Sequence, residues 1–259
     1  MASIKEFEKM AYVKMTPKLE FYEENKPLTR IEYVIRRRKF DFLISIIGKI
    51  SGKLVLILGC GGGMESEWLS ISGGKIIGID ISSQIIRIAK RRFKKKKLKG
   101  SFVVGDMENL PFKLNSFDII IAYDALHHSE NVHTCLLEAY RTTRHIMGVI
   151  EPNITCLTRK ISSIFFKKYL METFGTLTKA YSMTFYINQF KQAGFKIVKY
   201  IFCNIIPPEV YDPLFKISYG VFGDFLSLLV PKLDKIFEIL FPFSCSSCII
   251  VSKKIGGSI

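Results

Sequence analysis

A chain of 259 residues, 48% hydrophobic and 24% charged, is long enough for one α/β domain with insertions, and its composition excludes a disordered chain. Its formal net charge of +15, from 38 Lys and Arg against 23 Asp and Glu, points to an anionic partner without fixing fold or substrate. Six cysteines without framework spacing, and a start (MASIKEFEKM) with no apolar run for secretion, predict reduced thiols in the cytoplasm.

Residues 1–50 read as an N-terminal helical extension, ending in FDFLISIIGKI. Alternation then begins, with strands at 53–58, 75–79, 101–104, 117–122 and 146–150, and helices at 63–71, 83–96 and 131–143. Beyond residue 153 the pattern loosens into helices across 157–193, a strand at 196–202, an interrupting segment at 205–243 and a last strand at 248–251. Apolar strands separated by helices predict a doubly wound, Rossmann-like, mostly parallel seven-stranded sheet with helices on both faces. The expected domain is 51–259, with helical insertions at about 154–195 and 205–243. No run reaches the roughly 18 apolar residues of a membrane span, and 217–243 reads as two amphipathic helices with a proline break.

Two basic runs carry much of the charge, residues 36–39 (RRRK) and 90–97 (KRRFKKKK). The second ends a predicted helix, where cations suit the last carbonyls and form a solvated face. Only Phe93 interleaves it, so a base-stacking nucleic-acid surface is not the expectation. Cys245 and Cys248 form a lone CxxC that reads as two small buried residues leading into a strand, and no metal site is expected.

The stretch LVLILGCGGGMESEW at 54–68 is a strand, a glycine turn and a helix in that order, which aims backbone N–H groups and a helix N-terminus at a ligand. Its spacing is Gly59-x-Gly61-x-Gly63, and a dinucleotide fingerprint fails because Met64 stands where the third glycine belongs. Asp80 ends the second strand, where a carboxylate can accept from both hydroxyls of a ribose, and Asp106 follows the third in an acidic turn that can meet an adenine edge. Taken singly, these residues read as a helix cap and a turn.

In this order along successive strand ends, LILGCGGG (56–63), GIDIS (78–82), GDMENLPF (105–112), NSFDIIIAYDALHH (115–128) and IEPN (150–153) resemble the class I S-adenosylmethionine-dependent methyltransferases. The resemblance runs over about 50–203, and it is closest to small-molecule enzymes of ubiquinone and menaquinone biosynthesis. It implies S-adenosylmethionine as cofactor: Gly59, Cys60, Gly61 and Gly63 along the methionyl part, Asp80 on the ribose, Ile81 and Met107 against the adenine, Asp106 on its amino group, and Asp124 beside the methyl donor. Two departures stand out. Ile57 occupies a position the family usually gives to an acid, for which Glu65 or Glu67 is the candidate substitute. Arg144-His145 must turn without the family's Pro-Gly-Gly, which predicts a shifted or strained boundary.

Asp124 and His128 are the candidate catalytic residues. His127 and His128 are expected to point apart, and His133 follows shortly after. The expected acceptor is a small hydrophobic or lipid-like molecule, because the segments covering the strand ends are rich in Phe and Tyr, among them Phe165, Phe174, Tyr181, Tyr186, Tyr211 and Phe222. Peripheral contact with an anionic membrane would use the basic charge. RNA or protein methylation, favoured by net charge alone, and a non-catalytic binding or scaffold role, which Ile57 keeps open, are the alternatives.

Overall fold

A computed structural model describes residues 5–6, 30–153, 155, 181–203, 229, 232–236, 239–240 and 245–255. Most of the expected aromatic cover, at 156–180 and 204–228, lies outside the described residues, as does Cys156.

In chain order the elements are α1 (Arg30–Ile47), β1 (Leu54–Leu58), α2 (Met64–Ile71), β2 (Lys75–Asp80), α3 (Ser83–Lys95), β3 (Ser101–Val104), β4 (Phe117–Tyr123), a 3-10 turn (Leu126–His128), α4 (Val132–Thr142), β5 (Thr143–Pro152), α5 (Met183–Gln192), β6 (Phe195–Cys203) and β7 (Ser247–Lys254). The seven strands form one sheet in the order β3-β2-β1-β4-β5-β7-β6. β7 runs antiparallel to both neighbours and every other pairing is parallel. Chain direction across the sheet reverses between β1 and β4, the switch point outside whose carboxyl ends such sheets bind ligands.

Alternation along the strands divides two cores. Leu56, Leu58, Ile120 and Ala122 pack with α4 and α5, while Val55, Ile57, Ile119, Ile121 and Tyr123 pack with α1, α2 and α3. α1 is part of this second core: its Phe40 and Leu43 are buried there, each worth about 1.5–3 kcal/mol of burial. The helices begin where the sequence supplies caps. Side-chain oxygens of Ser82, Asn131 and Ser182 accept from the backbone N–H of Ile85, Thr134 and Phe185.

The expected turn at Arg144-His145 does not exist. α4 passes directly into β5 at Thr143, whose backbone is already extended, so the strand begins three residues before 146. Arg144 then donates to the Asn115 carbonyl and to Asp118 at 3.0 Å, work a Pro-Gly-Gly turn leaves undone.

The basic run of α1 is consumed inside the protein. Arg36 pairs with Glu65, Arg37 with Asp41 at 2.8 Å and Arg38 with Asp234 at 3.3 Å, while buried Lys39 reaches Ser247 and lies over the Tyr123 ring. In α3, Arg92 and Lys96 both hold Glu67, leaving Lys94 and Lys95 exposed in the last turn. The two cysteines of the lone CxxC are fully buried, Cys245 just before β7 and Cys248 within it.

Acid is expected to weaken the fold through α4. The Arg141 guanidinium hydrogen-bonded to Glu138, aided by the Leu110 N–H and against a burial penalty, holds that carboxyl below its ordinary value. A group depressed on folding stabilises the native state while ionised, and that contribution fades as pH falls through its folded pKa. The urea midpoint should therefore drop between about pH 7 and about pH 3, and Glu138→Gln should flatten the slope. An identical slope in both proteins would refute this.

Candidate active site

The site is built at the carboxyl ends of β1, β2 and β4. After Leu58 the chain turns through Gly59, Gly61 and Gly63, all left-handed with φ of 57°, 50° and 83°. The three do different work. A Cβ on Gly59 would stand 2.7 Å from the Ala125 Cβ, so the glycine turn lies directly on the loop that follows β4. At Gly61 nothing among the described residues lies within 4 Å of that position.

Asp80 ties this turn to the next one. Its two oxygens accept from the Gly61 N–H and the Ser82 N–H, each at 3.0 Å, and the side chain is buried. A carboxylate oxygen can accept more than one hydrogen bond, so neither of these two contacts alone saturates its oxygen. The Cys60 carbonyl accepts from the Gly63 N–H at 3.0 Å within the turn. Its thiol points into the core against Gly78, and burial, with Asp80 and Glu65 nearby, pushes its pKa well up.

Ile81 and Met107 are half-buried on the two flanking turns. Asp106 caps its own turn, one oxygen accepting from the Glu108 N–H at 2.8 Å and the other meeting the Lys5 ammonium at 2.7 Å. Asp124, at the end of β4, sits in the left-handed region at φ 47°, a strained conformation for a residue with a side chain. It lies 4.0 Å from the Arg36 guanidinium, which also pairs with Glu65 and covers the Tyr123 ring at 4.4 Å. Burial works against the Arg36 charge, but Glu65 and Asp124 outweigh it and keep the guanidinium ionised.

Ile57 is fully buried in the aromatic core beneath this site. Of the two candidate substitutes, Glu67 is turned toward α3, whereas Glu65, in the first turn of α2, faces Arg36.

The two adjacent histidines do not point apart. Their rings lie 4.1 Å centroid to centroid and 39° from parallel on the 3-10 turn. His127 Nδ1 is 2.6 Å from Glu151, a fully buried carboxylate that also accepts from the backbone N–H groups of Ala125, Leu126 and His127 and from the Tyr186 hydroxyl. Held this way, His127 fixes the stack that presents half-buried His128. His133 stands apart from this pair, on α4.

Sequence reading missed Glu151 and Arg36. The signal for Glu151 was an acid closing the apolar run IMGVIEP, since a buried strand keeps a charge only where partners await it. Arg36 was hidden in a run of like charges, where only packing separates its role from its neighbours'.

Residues 56–145 match the family described as "Methyltransferase domain". Ubiquinone biosynthesis O-methyltransferase of Coxiella burnetii is 37% identical over 79 residues, which is 30% of this chain and 34% of that protein. Its counterpart in Pelagibacter ubique is 33% identical over 135 residues, 50% of this chain and 54% of that protein. The chain thus matches about half or less of the length of these curated relatives. Among solved structures, magnesium protoporphyrin IX methyltransferase from Synechocystis with bound SAH aligns over 96% of this chain and 99% of that one, with TM-score 0.65 and 15% identity. The cyclase SpnF aligns over 84% and 80%, with TM-score 0.59 and 18% identity. At such identities the likeness establishes the fold, and the fold carries more than one chemistry.

Proposed function

We propose that this chain, which belongs to the class I S-adenosylmethionine-dependent methyltransferase family, transfers a methyl group from that donor to a small, apolar, hydroxylated acceptor. The observation that carries the reading is Asp80: a buried carboxylate joining the glycine turn to the β2–α3 turn, beside Gly61, where an added Cβ would meet no atom of the described residues within 4 Å. That arrangement fits a ribose on the acid and a chain lying along the glycines. Ile81 and Met107 would flank the adenine, and Asp106 would take its amino group in exchange for Lys5. Arg36 and Glu65, opposite charges beside Asp124, suit the carboxylate and ammonium of the methionyl end, with Glu65 standing in for the acid that Ile57 lacks.

S-adenosylmethionine, when bound, supplies an electrophilic methyl carbon on a leaving group that departs neutral. The chain's own share is alignment, exclusion of water and removal of one proton. Half-buried His128 would accept the hydroxyl proton of the acceptor, and Asp124, from the same loop after β4, is the second candidate base. The names of the curated relatives make a phenolic quinone precursor the first acceptor class to try. We place the protein in the cytoplasm, in peripheral contact with membrane where its acceptor resides, and assign it no nucleic-acid substrate.

Calorimetric titration with S-adenosylmethionine and its demethylated product tests the site. A radiolabelled-methyl transfer screen of a cell extract, fractionated into lipid, RNA, protein and small molecules, tests the acceptor. His128→Asn should slow transfer about 100-fold at saturating donor and leave donor affinity unchanged. Unchanged turnover removes His128 as the base, and label in the RNA or protein fraction overturns the acceptor class.

A further inference from the structure

One segment inverts the usual arrangement of a surface helix. Residues 232–236 and 239–240 are helical, and their acid points inward while their aliphatic side chains point out. Asp234 is 1% exposed and pairs with Arg38, whereas Leu233, Ile236, Ile239 and Leu240 are 41%, 53%, 74% and 61% exposed. Within 232–236, Leu233 and Ile236 stand three residues apart, the spacing of one stripe on a helical face, and both are exposed. Lys232 and Lys235 are exposed beside it.

We propose that this stripe is the surface by which the protein docks on an anionic lipid bilayer. Exposed contiguous aliphatic side chains mark an interaction site. Flanking lysines on a chain of net charge +15 select an anionic occupant, and a lipid surface supplies both the charge and an apolar layer for Leu233, Ile236 and Ile239 to enter. No described helix is long and apolar enough to cross a membrane, so the stripe lies on the surface of the bilayer. Arg38 of α1 anchors the segment through Asp234. The purpose of docking rests on the lipid-like acceptor proposed above; the surface itself does not.

The test uses the full chain and vesicles of phosphatidylcholine with or without phosphatidylglycerol. Partition into anionic vesicles is expected to fall at least tenfold in Leu233→Gln/Ile236→Gln and about tenfold in Lys232→Glu/Lys235→Glu. It should stay unchanged in Lys94→Glu/Lys95→Glu, whose lysines lie on α3. Melting temperature and donor affinity should match the parent in all three. The inference is overturned if the aliphatic variant partitions like the parent, if the α3 variant alone abolishes partition, if the aliphatic variant loses melting temperature because the stripe is internal, or if it splits a dimer because the stripe is covered by a second copy. Donor titration of the same samples separates the two readings: donor binding without partition sinks the docking surface alone, and partition without donor binding sinks the methyltransferase reading alone.

Discussion

Asp80→Ala is expected to weaken S-adenosylmethionine binding about a thousandfold. A carboxylate accepting from two ribose hydroxyls makes two charge-assisted hydrogen bonds, each worth about 1.5–3 kcal/mol, and every 1.4 kcal/mol is about tenfold in affinity. The same carboxylate organises its own surroundings. Without it the N–H groups of Gly61 and Ser82 lose their acceptor, and a strained left-handed turn loses its tie to β2. Each orphaned N–H costs about 1–3 kcal/mol if water cannot reach it. Thermal denaturation should therefore register the change together with calorimetry. Asp80→Asn is the discriminating control, since its single carbonyl oxygen can serve one turn only, and its affinity should fall between parent and alanine variant. If Asp80→Ala binds the donor within a factor of three of the parent, the site has been misread.

The second large effect is expected at Glu151. Its carboxylate accepts from three consecutive backbone N–H groups, a histidine ring nitrogen and a tyrosine hydroxyl, with no exposure to solvent. Removing a buried charged partner from such a set costs about 3–5 kcal/mol, because the groups left behind stay desolvated. Glu151→Ala should lose about that much in urea unfolding, and methyl transfer should fall further than the unfolded fraction explains, because the loop bearing Asp124 and His128 loses its anchor. Tyr186→Phe removes one neutral donor and should cost about 1 kcal/mol. A Glu151→Ala protein within about 1 kcal/mol of the parent would show that the loop is held by other contacts.

These two acids also mark where the sequence was legible and where it was not. Asp80 could be read because it stands at a fixed place, the end of an apolar strand, one turn beyond the glycines. The parallel strands could be read for a related reason: both of their faces are covered, so they appear as unbroken apolar runs such as LVLIL and DIIIAY. Glu151 obeys the same pattern, yet its role depends on a loop some 25 residues earlier folding back over it, and no local rule expresses that. The α4–β5 junction was misjudged because Thr143 is compatible with either state, and pairing with Phe117 decides it. The histidine stack was misjudged because neighbouring side chains were expected to diverge along the backbone, whereas His127 is drawn to Glu151, a partner supplied by β5. Among like charges, Arg36 and Arg38 became distinguishable only when Glu65 and Asp234 arrived from other elements.

The sheet order has one more consequence. After β1 and β2 the connections at the carboxyl ends are short, five residues after Leu58 and two after Asp80. On the side of β5, β6 and β7, the chain leaves for residues 153–182 and again for 204–246 before returning. Mutation can lengthen or rewrite those segments without disturbing the register of the half proposed to grip the nucleoside. An ancestor with this layout could change what it modifies while keeping what it spends, and grafting foreign excursions at 152 and 203 is the natural way to retarget it.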